Sequence, residues 1–135
     1  MERYEEKIQG SADSVVLTED EGMRMPVVAL RGMTILPGMV IHFDLSRKKS
    51  ILAVERAMGE DQRIFLVTQR DAEEEDPGYD GVYRMGSIAQ IKQVPRLPET
   101  VVRVLVEGLW RGRLKGLDEE AEYLCGDVEK VESPV

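Results

Sequence analysis

Cysteine is nearly missing from this sequence. Cys125 stands alone in 135 residues, which excludes an internal disulfide and any cysteine-rich zinc site. Histidine is as scarce, with His42 the single example. A Cys125–His42 nucleophilic pair would require the fold to join two distant strands. A cysteine in an apolar strand behaves instead as a small hydrophobe, and no residue is assigned a catalytic role. GxxxxGK[ST], GxSxG and HExxH are all missing, so there is no phosphate-cradling loop, nucleophile elbow or zinc-protease helix. No metal or cofactor site is expected. No apolar run approaches the roughly 20 residues of a membrane helix. The opening residues, MERYEEKIQGSADS, lack the apolar centre of a secretory signal and are too acidic for a mitochondrial presequence. A cytoplasmic protein without membrane contact is expected. A basic excess is missing as well. The formal charge of −8 opposes nucleic-acid binding unless a local basic face outweighs the average.

What is present reads as one domain, long enough to bury a core without covalent staples. Residues 1–24 are polar and acidic, with Val15, Val16 and Leu17 the main apolar group. They are expected to be a flexible tail. MPVVAL is a first strand with Pro26 at its start, RGMTILPG a connection, and MVIHFDL a second strand. Ser46 is the expected N-cap of a helix through RKKSILAVERAMGED. Ile51, Val54 and Met58, with Ala57, form its apolar face, and Arg47, Lys48, Arg56 and Glu60 its polar one. Gly59 ends it.

IFLVT reads as a short, central strand. From Asp71 to Asp76 five of six residues are acidic. An EF-hand loop starting at Asp71 would need glycine sixth and glutamate twelfth, where the chain has Asp76 and Val82. A solvated acidic loop is the better reading. SIAQIKQV and VVRVLVEG form a hairpin around PRLPET, and the last strand lies in AEYLCGDVEKV. Six or seven strands with one internal helix make a mainly β, barrel-like domain.

VRVLVEGLWRGRLKGL is one long strand kinked at Gly108, where glycine marks a bulge or corner. A positive φ there would strain any side chain. Val102, Val104 and Val106 share a face before the kink. After it, Trp110 and Leu114 share one face, while Leu109, Arg111, Arg113 and Lys115 share the other. Alternation thus separates the ring from the cations, whereas a nucleic-acid groove needs them together.

The block MPVVALRGMTILPGMVIHFDLSRKKSILAVERAM resembles the start of the N-terminal domain of the Lon ATP-dependent protease family. That family has an apolar strand ending in PLR, a loop with PxMV, and a helix opening on a GRxKS-like turn. IFLVTQRDAEEEDP resembles its next strand and acidic loop, and MGSIAQIKQVPRLPETVVRVLVEGLWRGRL its most recognisable segment. Ala29 replaces the usual proline, Ser46 the usual glycine, and LPET lacks a glycine turn.

The resemblance covers residues 25–131 and implies a PUA-like pseudo-barrel that recognises protein substrates. It implies unfolded or degron-bearing proteins as partners, together with other subunits of a homo-hexamer in a bacterial cytoplasm. ATP, magnesium and the Ser-Lys dyad would belong to domains outside this sequence. Residues 132–135 would be a cut end leading to a helical region. The alternative is a stand-alone PUA-like domain that binds RNA or another protein. A receptor for unfolded chains should expose adaptable apolar side chains. Loops run over the surface, so Met33, Ile35, Leu36, Pro37 and Met39 after the first strand are the candidates. Leu97 at the hairpin tip joins them, with Arg96 as a polar rim. Otherwise these residues cap the open ends of the barrel. The outer arginine face of the kinked strand is the next candidate.

Overall fold

The computed structural model describes residues 23–95 and 101–131. The order is β1 (Met23–Leu30), β2 (Val40–Leu45), α1 (Lys48–Met58), β3 (Arg63–Thr68), β4 (Met85–Gln93), β5 (Val102–Asp118) and β6 (Cys125–Val131), with a 3-10 turn at Tyr79–Gly81. Six strands and one helix match the expected class. β1 and β3 are parallel, with Val27 to Leu30 opposite Phe65 to Thr68. Both are buried on their two faces, which is why their sequences are continuous apolar runs. The remaining pairings are antiparallel.

The strand order is β2-β5-β4-β3-β1-β6, and β6 also pairs with the second half of β5. Five strands therefore close a ring, and β2 hangs on the first half of β5. Every strand of the ring contributes to the core inside it, through Val27, Phe65, Ile88, Leu114 and Val128. A second core lies outside. There Val28, Leu66, Ala89 and Val104 meet Phe43 of β2 and Val54 of α1.

Three expectations need correction. Met23 and Arg24 are not tail but strand: they pair with Val128 and Asp127, and the Arg24 guanidinium lies 2.8 Å from Asp118. Residues 1–22 lie outside the described residues. The helix begins at Lys48, not after Ser46. Arg47 holds the cap position with extended backbone and no side-chain cap bond. Its guanidinium is engaged in donating to the carbonyls of Ala29 at 2.9 Å and Glu75 at 3.1 Å, and to Gln69 Oε1. The buried face is Ser50, Ala53, Val54 and Ala57, while Met58 is 38% exposed. These small side chains bring the helix axis close to β1 and β3, on which it packs.

The third correction concerns Gly108. The kink lies there: Ile88 faces Trp110 while Ala89 faces Gly108, so Leu109 bulges out of the β4 ladder. Its φ is not positive, however; among the glycines only Gly32 and Gly38 take that conformation in the described residues. Glycine is required by a close approach. A Cβ on Gly108 would stand 2.4 Å from the Leu36 carbonyl oxygen.

The acidic loop is solvated at its side chains but anchored at its backbone. Buried Gln69 donates its amide to the carbonyls of Asp71 at 2.9 Å and Glu74 at 3.0 Å. Burial lowers the Arg47 pKa from its ordinary value, nearby Arg31 adds to this, and Glu75 and Asp76 oppose it. His42 pairs with Leu105 and Cys125 with Asp118, at opposite ends of β5.

Candidate functional site

The β1–β2 connection crosses the sheet and is tied to three strands on the way. Thr68 of β3 donates its hydroxyl to the Met33 carbonyl at 2.7 Å. The buried Ser87 hydroxyl of β4 donates to the Ile35 carbonyl. On β5, the Gly108 N–H donates to the Met39 carbonyl and the Gly38 N–H to the Gly108 carbonyl, both at 2.9 Å. Gly38, at φ +88°, makes the turn. The Met39 N–H closes it by donating to the Leu36 carbonyl at 3.1 Å.

This anchoring sorts the candidate residues. Ile35 is buried at 3% exposure and joins the outer core, so it fixes the loop from beneath. Met33 and Met39 are half-buried against the same core. Leu36, at 51% exposure, and Pro37 stand out into solvent. Arg96 and Leu97 lie outside the described residues.

Leu36 and Pro37 form one wall of an open cleft of about 620 Å³, completed by Leu109, Trp110, Arg111, Lys130 and Val131. Trp110 is half-buried at its floor, against the inner core. Two cations approach its ring: Arg63 at 5.0 Å and Lys130 at 4.3 Å from the centroid. The expected separation of ring and cations is therefore corrected. Alternation along β5 does turn Arg113 away, toward Glu129, but Arg111 lines the same cleft as Trp110, Arg63 arrives from β3 and Lys130 from β6. Only the strand pairings, with Gly112 beside Lys130, bring them together.

A second cleft, of about 610 Å³, lies along β2, with Met33, Phe43 and Leu45 in its lining beside Arg31, His42 and Asp44. The Asp44 carboxylate accepts from Arg103 at 2.8 and 3.3 Å. That hydrogen bond, helped by the charge of Arg103 and opposed by desolvation, holds Asp44 below the ordinary carboxylate value. Among the described residues, no group of three or more His, Cys, Asp or Glu side chains could hold a metal ion. No helix among them is long and apolar enough to cross a membrane.

A closed β ring with an apolar cleft held open by an anchored loop defines a binding domain. Residues 24–135 match the model of the ATP-dependent protease La (LON) substrate-binding domain, and the chain belongs to this family. It is 51% identical over 110 residues to the Lon protease of Lachnoclostridium phytofermentans, covering 82% of this chain and 14% of the relative. It is 40% identical over 114 residues to the Lon protease of Escherichia coli K12, covering 84% of this chain and 14% of that protein. The chain thus spans about one seventh of the length of these relatives.

Among solved structures, the N-terminal domain of the Mycobacterium avium complex Lon protease superposes with a TM-score of 0.64 at 22% identity. The match covers 84% of this chain and 56% of that one. The Lon N-terminal domain protein of Xanthomonas campestris gives 0.64 at 16% identity, covering 82% and 60%. Both share the fold.

Proposed function

We propose that this domain captures segments of unfolded or degron-bearing proteins for a Lon-type ATP-dependent protease, and that it does so in the cleft over Trp110. The observation that carries the reading is the exposure of Leu36 and Pro37 on a loop pinned to three strands. Apolar side chains held in solvent by a rigid frame lose little entropy when a partner covers them. Met39 borders the patch beside Leu36 as an adaptable contact, Met33 faces the neighbouring cleft along β2, and Ile35 anchors the loop. Leu97 and Arg96, which the sequence puts between β4 and β5, are included in the proposal as further contacts.

In this reading the domain itself hydrolyses neither ATP nor peptides. ATP, magnesium and the Ser-Lys dyad belong to other parts of a hexameric enzyme in the bacterial cytoplasm. Trp110, the chain's single tryptophan, is a built-in probe for the test. A reduced, carboxamidomethylated polypeptide without tryptophan is titrated against the chain while Trp110 emission is followed. Leu36→Ser with Leu109→Ser removes about 1–2 kcal/mol of apolar contact, so affinity should fall about tenfold. Equal affinity in a folded double variant would place capture elsewhere, first on the outer face of Arg113 and Lys115.

A further inference from the structure

Many cations around this barrel have a carboxylate partner among the described residues. Arg24 lies 2.8 Å from Asp118, Arg103 2.8 Å from Asp44, Lys92 3.1 Å from Glu107, and Arg113 3.4 Å from Glu129. The cations at the cleft differ. Among the described residues no carboxylate lies within ion-pair distance of Arg63, Arg111 or Lys130. Asp61 stands near Arg63, but it accepts from the main-chain N–H at 3.1 Å. Among the described residues the Arg63 guanidinium reaches the neutral Gln90 Oε1, at 3.4 Å, and the Trp110 ring. The chain has 26 acidic residues and a charge of −8. Arg47, Lys48, Arg70 and Lys115 also lack a carboxylate within ion-pair distance among the described residues; what sets Arg111 and Lys130 apart is that both line an apolar cleft, with Arg63 against its Trp110 ring.

We propose that the cleft selects apolar segments flanked by carboxylates. Leu36, Pro37, Leu109 and Trp110 hold the apolar side chain, and Arg111 and Lys130 of the lining face the acids beside it. The proposal rests on the capture reading above and adds a sequence preference to it. Arg111 and Lys130 line the cleft together, and a carboxylate beside them gains charge-assisted hydrogen bonds. Beyond a Debye length of about 8–10 Å the effect is screened, and the acidic remainder of the domain does not attract acidic chains from a distance. The preference thus acts on contact.

Single-stranded nucleic acid also combines a ring with anions. The cleft, however, offers one aromatic among aliphatic Leu36, Pro37, Leu109 and Val131, which suits branched side chains better than successive bases. The net charge of −8 also disfavours a polyanion.

Three peptides test the proposal. They have one length and one apolar, tryptophan-free centre, flanked by Asp, by Asn or by Lys, and Trp110 emission reports binding to the 135-residue chain. Several exposed charge pairs together should make the Asp peptide at least about fivefold tighter than the Asn peptide, with the Lys peptide weakest. The Asp/Asn ratio should fall toward one in Arg111→Gln with Lys130→Gln, and in the parent chain at high salt. Equal binding of the Asp and Asn peptides, or a ratio that survives in the double variant, overturns the charge preference and leaves capture standing. Failure of all three peptides to bind overturns capture and the preference with it. A single-stranded oligonucleotide that binds this cleft more tightly than the Asp peptide assigns the cations to phosphates instead.

Discussion

Gly108→Ala offers the sharpest test of how the cleft is built. The added methyl would stand 2.4 Å from the Leu36 carbonyl oxygen, 3.1 Å from its carbon and 3.3 Å from Pro37 Cα. All three are backbone atoms, so no rotamer change relieves the clash. An ordinary contact begins near 3.4 Å, and the loop must retreat by about 1 Å to reach it. That retreat takes both 2.9 Å hydrogen bonds between Gly108 and the loop out of reach. Two lost backbone bonds cost about 0.5–1.5 kcal/mol each, and partial exposure of Ile35 adds about 1 kcal/mol. The expected loss is about 2–4 kcal/mol, read in urea as a midpoint lower by about 1–2 M. Amide exchange at Gly38 and Gly108 should accelerate beyond the global change. A variant within about 0.5 kcal/mol of the parent, with both amides still protected, would refute the account of loop and strand.

Gln69→Leu should cost about 2–4 kcal/mol, because it takes an acceptor from Arg47 and both donors from the carbonyls of Asp71 and Glu74. Urea unfolding measures the cost, faster amide exchange across 71–76 should accompany it, and an unchanged midpoint counts against the anchoring role. Asp44 supplies a pH test. Its folded pKa is depressed by Arg103 below the ordinary 3.8, so its contribution is full above that value and is lost as pH falls through the folded value. The stability gap between the parent and Arg103→Gln should therefore be larger at pH 6 than at pH 2. An equal gap at both would show that Arg103 acts by packing alone.

Much of the fold was legible in the residues. β1 and β3 are buried on both faces, so MPVVAL and IFLVT carry no polar interruption, and such runs have few alternatives to a central strand. The bulge position was legible because Gly108 breaks a strict alternation of valines. Its cause was not, because the constraint comes from Leu36, far away in the chain. The helix face was read in part. Val54 and Ala57 are buried as the spacing expects and Ile51 packs half-buried on the outer core, but close packing on the sheet also takes in Ser50 and Ala53 and leaves Met58 exposed. Half of the cleft could be read from the loop, where Leu36 and Pro37 have no strand to hide in. The other half could not. Trp110 meets Lys130 and Arg63 through strand pairing alone, and no periodicity within β5 contains that information.

The closure of the ring by β1 against β6 has a mechanical consequence. Met23 opens β1 and lies opposite Val128, near the end of β6. A pull through Met23 and Val131 therefore loads the β1–β6 ladder from one end, bond by bond, like a zipper, rather than shearing all its bonds together. Resistance to such a pull should be low even if the domain is stable to urea. Force-extension records on a chain held at these two points should show the ring opening at its β1–β6 seam before the β4–β5 hairpin yields.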